Sequence, residues 1–152
     1  MAAILLMANF TLASHILAQQ QAPRVTLAQF RQLGWLHGAW LGGGGAYPAF
    51  YEEYRAVDDS TIQMRAFSDS TFHTVTDSSR IELRGGVVYN RGSRSQYTAV
   101  LLQPERIQFL PPGASRGGFS FARVSADQWT ATLHPSAPDG RETVYVMRRL
   151  RP

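Results

Sequence analysis

Apolar side chains recur with a period of two along most of the chain. Ile81 and Leu83 alternate with Arg80, Glu82 and Arg84, and Phe119, Phe121 and Arg123 alternate with Ser120, Ala122 and Val124. Near the end, Val144, Val146, Arg148 and Leu150 share one face, while Tyr145, Met147 and Arg149 share the other. Period two is the signature of an extended strand with one face turned inward. Runs of this kind, rich in β-branched or aromatic residues, occupy 61–67, 71–76, 80–84, 87–89, 96–103, 106–110, 118–124, 128–133 and 142–150. Turn-forming clusters separate the earlier ones: Asp58-Asp59-Ser60, Ser68-Asp69-Ser70, Asp77-Ser78-Ser79, Gly85-Gly86 and Asn90-Arg91-Gly92.

Upstream the period changes. Leu27, Phe30 and Leu33 follow Thr26 at helical spacing, and Gly34 offers a stop, which predicts a two-turn helix. Strands are expected at 35–41 and 50–57, with Gly42 to Gly45 forming a turn or a sharply bent strand between them. Trp35, Tyr47, Phe50, Tyr51 and Tyr54 gather at one end, either as core or as the lining of a pocket mouth. Short strands in close succession pair with their sequence neighbours, and a small sheet of about ten strands removes its edges by closing. The expected fold is all-β: one antiparallel meander β-barrel of about ten strands, with the short helix capping one end. A two-sheet sandwich is the alternative.

Composition narrows the function. With 44% hydrophobic and 17% charged residues the chain is globular. Its net charge of +4 comes from 15 basic residues, all arginine and mostly single, interspersed with acids. That spacing lacks the basic stripe of a nucleic-acid binder, so no nucleic-acid partner is expected. There is no cysteine, which excludes disulfides, thiolate metal sites and cysteine nucleophiles. From Ala2 to Ala18 no charged residue interrupts an apolar run, and Gln19-Gln20-Gln21-Ala22-Pro23 follows. This pattern fits a secretory signal and spacer over 1–22, although no basic residue precedes it. The barrel domain is then 23–152, periplasmic or secreted, with no membrane attachment after signal removal. A monomer or weak homodimer is expected.

Gly38-Ala39-Trp40 at the first strand and Arg148-Arg149 in the last resemble the ends of calycin barrels, the lipocalins and fatty-acid-binding proteins. The run from Leu36 through Glu52-Glu53 is similar to nitrobindin-type and related bacterial secreted domains of unknown function. The resemblance implies a closing-strand arginine over the tryptophan, and assigns that role to Arg148 over Trp40. Nitrobindin-type barrels ligate haem through a histidine near the C-terminus. No histidine follows His134 here, so no haem or other cofactor is expected.

Catalytic signals are weak. Gly113-Ala114-Ser115-Arg116-Gly117, with Asp127 and His134 after it, has the order of a nucleophile elbow. The elbow needs a strand before it and a helix after it, and here prolines precede and a strand follows. His37, His73 and His134 lack metal-ligand spacing, so no metal is expected. Adjacent Glu52 and Glu53 point to opposite strand faces, and one of them must enter the barrel, with Arg65 or His73 as its partner. Glu53, Arg65, His73, Tyr89 and Tyr97 are the expected ligand-lining residues. The function expected is the binding of a small, mostly apolar molecule inside the barrel, without catalysis. A filled barrel that contacts an envelope protein is the second reading, and a small enzyme using a buried Glu/His/Arg set is the third.

Overall fold

Thr26 starts the helix as its sequence requires. Its hydroxyl accepts from the Gln29 N–H at 3.2 Å, and the Gln29 side chain accepts from the Thr26 N–H at 2.8 Å, which completes a capping box. The structure, a computed structural model, describes residues 22–44 and 47–151. The expected leader therefore lies, Ala22 apart, outside the described residues. Helix α1, Leu27–Arg31, does not stop at Gly34 but tightens into a 3₁₀ helix, Gln32–Leu36. The 3₁₀ geometry aligns positions three apart, and Leu33 and Leu36 are both fully buried. The helical segment thus takes in Trp35, and the first strand begins three residues later than expected.

Ten strands follow: β1 Gly38–Gly44, β2 Tyr47–Asp58, β3 Thr61–Phe67, β4 Val75–Arg84, β5 Val87–Gly92, β6 Gln96–Gln103, β7 Arg106–Leu110, β8 Phe119–Ser125, β9 Gln128–Leu133 and β10 Thr143–Arg149. Each pairs antiparallel with its neighbour in sequence, and β1 pairs with β10, so the sheet closes into a barrel. The run expected at 71–76 is not a separate strand. Residues 68–74 connect β3 to β4, and Phe72, at φ 58°, lays its ring against Phe67 and Tyr51. Asp77-Ser78-Ser79, expected as a turn, runs within β4.

The helical segment closes one end. Val25 N–H donates to the Gly86 carbonyl at 2.8 Å, Arg24 to that of Gly85 at 2.6 Å, and the Trp35 indole to that of Pro104 at 3.1 Å. Phe30, Leu33 and Leu36 join Ile62, Ile81, Val88 and Ile107 in the core at that end. The barrel seam runs beside it. Trp40 is paired with Arg149, whose guanidinium carbon stands 4.2 Å from the Trp40 ring centre. The closing arginine is therefore Arg149 and not Arg148, whose residue is exposed on the opposite face. Strand alternation makes this a one-residue correction with a full change of face.

Candidate functional site

Away from the helical plug the interior is hollow. A cavity of about 350 Å³ opens toward the β5–β6 turn. Its floor is aromatic and sulfur-rich: Tyr54, Phe121, Trp129, Met64 and Met147. Trp129 organises this floor, meeting Tyr54 (5.7 Å), Phe121 (4.9 Å) and Trp40 (5.8 Å) edge to face. Such rings pack densely because the edge of one meets the face of the next. The walls carry Phe50, Tyr97, Phe119, Ala131 and Tyr145, and Ser93, Arg94 and Ser95 stand at the rim. Gly42 shares in this arrangement without a side chain. A Cβ there would overlap the Phe50 ring, which lies across the glycine on the inner face.

Two acids interrupt the apolar lining. Glu52 is on the inner face of β2 between Phe50 and Tyr54, and its Oε2 accepts a 2.9 Å hydrogen bond from the Tyr54 hydroxyl. Ala66 pairs with Glu52 on one side and with Asp77 on the other, so the three form one transverse row. Burial raises the Glu52 carboxyl from its ordinary 4.5 to about 7; the Tyr54 bond opposes that shift and the charge of Asp77 adds to it. Tyr54 is raised well above its ordinary value, first by burial and then by the Glu52 charge and hydrogen bond.

Of the five residues expected to line the cavity, only Tyr97 does so. Glu53 lies on the outer face, 2.7 Å from Arg65 and paired also with Arg55. Arg65 and Glu53 are thus brought together as expected, but on the outer wall. His73 is exposed on the β3–β4 connection. Tyr89 lies on the outer face, with the Arg91 guanidinium 5.2 Å from its ring centre. The sequence did hold the clue for Glu52. Arg55 shares the face of Glu53, while Phe50 and Tyr54 share that of Glu52, and an arginine beside a mostly apolar set marks the outside. Asp77 and Ser79 were hidden by their turn-forming character; they line the cavity because β4 continues through them.

The elbow residues do not converge. Ser115 is exposed on the β7–β8 connection, and Asp127 sits in the β8–β9 turn at the plugged end, paired with Arg151 and Arg149. His134 instead bridges two residues that the sequence did not single out. Its Nε2 lies 3.0 Å from Ser120 Oγ and its Nδ1 2.7 Å from Glu142 Oε1. Ser120 is buried at the second position of β8, between Gln108 and Thr132 in the ladder, and not on the sharp turn that presents a hydrolase serine. The set therefore works as a clasp, tying the start and end of the β9–β10 connection to the wall.

No family model matches the chain, and neither a curated protein nor a solved structure matches it significantly.

Proposed function

We propose that the protein is a non-catalytic, extracytoplasmic binding protein that holds a small, mostly apolar molecule inside a calycin-like barrel. One observation carries this reading: the interior, which ten strands of this length can fill with side chains, instead leaves about 350 Å³ open at one end. That volume lies in the range of small-molecule pockets, and the lining has their character, aromatic with a few polar groups. A filled barrel serving only as a surface for an envelope partner does not account for the hollow. The extracytoplasmic location rests on the uncharged apolar run over 2–18 and the polar spacer after it, read as a signal and spacer that precede the barrel domain.

The test is native mass spectrometry of the protein purified from its own host. The reading expects a bound species of a few hundred daltons that leaves on denaturation. Protein that is entirely free of adducts, and that takes up no apolar molecule when challenged, contradicts it.

A further inference from the structure

We propose that the ligand of this cavity is a compact organic cation, an ammonium or amidinium group on an aromatic or aliphatic body, with its charge seated between Glu52 and Asp77. The inference rests on the reading of the cavity as a binding site and names the chemistry that the site selects.

The placement of the two acids is the main argument. Neighbouring strands are about 4.8 Å apart, so the Cα atoms of Glu52 and Asp77, separated by one strand, lie about 10 Å from each other. The residue between them on the same row is Ala66, whose methyl leaves the space over the row open. Tyr54 engages only Oε2 of Glu52, which leaves Oε1 to a ligand. A group held there has a carboxylate on either side.

The surroundings point the same way. A carboxylate among aromatic rings carries a desolvation cost that a neutral apolar ligand does nothing to relieve. An anionic ligand increases that cost. A cation relieves it, in a cavity that the aromatic rings of Phe50 and Tyr54 also line. The charged and titratable groups around Glu52 are Tyr54 beside it, Asp77 across Ala66, Tyr97 and Tyr145 in the walls, Arg94 at the rim, and Arg149 across Trp40, whose guanidinium is turned to the plugged end and held by the His37 and Ala126 carbonyls. Arg94 and Asp77 are both exposed at the cavity mouth, so water and salt screen the repulsion of one and the attraction of the other alike, and the half-buried Glu52 is the charge that selects a cation.

The site is also proton-linked. With a carboxyl titrating at about 7, the empty cavity holds Glu52 protonated in part of the molecules at neutral pH. A bound cation expels that proton, so affinity for a cation rises with pH through this range.

The experiment is calorimetric titration of the full chain with 2-phenylethylammonium and with its neutral counterpart 2-phenylethanol. At pH 8 the ammonium should bind at least tenfold more tightly than the alcohol. Between pH 8 and pH 6 its affinity should fall several-fold while that of the alcohol holds. Glu52→Gln should remove most of the preference for the ammonium over the alcohol. The pH series uses the wild-type protein, so it stands even if the variant folds poorly. Equal binding of the two probes at pH 8, or a preference that survives Glu52→Gln and Asp77→Asn combined, overturns the cation assignment while the cavity reading stands. If neither probe binds and the host-purified protein carries no adduct, the binding reading fails and takes this inference with it.

Discussion

Arg149 and Trp40 face each other across the β1–β10 seam, the guanidinium carbon 4.2 Å from the indole ring centre. The same side chain donates from Nη1 to the His37 carbonyl at 2.8 Å and from Nε to the Ala126 carbonyl at 3.0 Å. One arginine thus joins the last strand, the start of the first and the β8–β9 turn. Gly38 makes room for it, since a Cβ at that position would overlap the guanidinium.

Replacing this arginine should therefore open the seam. Arg149→Ala loses a cation–π contact, three hydrogen bonds from a charged donor and the ion pair with Asp127, a cost of about 2–4 kcal/mol. Arg148→Ala, one residue away and exposed, should change stability by less than about 0.5 kcal/mol. Urea unfolding of both variants measures the contrast. Equal costs would place the closing contact elsewhere.

Glu52 gives stability a pH dependence of definite sign. Its folded pKa, about 7, lies above the ordinary 4.5, so the folded state binds the proton more tightly than the unfolded chain. Its unfavourable contribution is absent below about pH 4.5, grows as pH rises, and is complete above pH 7, where it reaches on the order of 3 kcal/mol. Glu52→Gln should accordingly be more stable than wild type at pH 8, with the difference vanishing near pH 4. Thermal melts of both proteins across that range read it directly.

Two glycines with positive φ should respond differently to alanine. At Gly118, φ is 76° and a Cβ would collide with the Phe109 carbonyl. At Gly85, φ is 57° and nothing lies within 4 Å. Gly85→Ala carries only the backbone term, about 1–2 kcal/mol, whereas Gly118→Ala adds an overlap with backbone and should exceed about 3 kcal/mol. Chemical denaturation of the pair separates conformational cost from collision.

The clasp at His134 makes a local prediction. His134→Ala leaves the buried Ser120 hydroxyl without its ring partner and frees Glu142, at a cost of about 1–3 kcal/mol. Hydrogen exchange should accelerate over residues 134–142 and stay unchanged at the plugged end, around residues 85–86 and 104–105.

The meander and its closure were legible because they follow from local signals: period-two patterning, turn residues at short intervals, and too many strands to leave two edges open. The direction in which each strand faces was not, because several strands are apolar on both sides. In β10, Val144 and Val146 balance Tyr145 and Met147, so nothing in the strand itself says that Arg149 faces Trp40. β4 failed for another reason. Asp77, Ser78 and Ser79 read as a turn, yet an open cavity mouth accepts polar side chains on an inner face. Of the adjacent pair, Glu53 was expected inside, whereas Glu52 lines the cavity and Glu53 shares the outer face with the exposed Arg55.

The central claim is a hollow barrel that accepts a small molecule over a floor containing Met64 and Met147. Methyl-resolved NMR of these two methionines, titrated with 2-phenylethanol, tests it most directly. The account predicts that both signals shift together and saturate along one binding curve. If neither methyl moves as the probe is added, or both drift without saturating, nothing enters the cavity and the account is wrong.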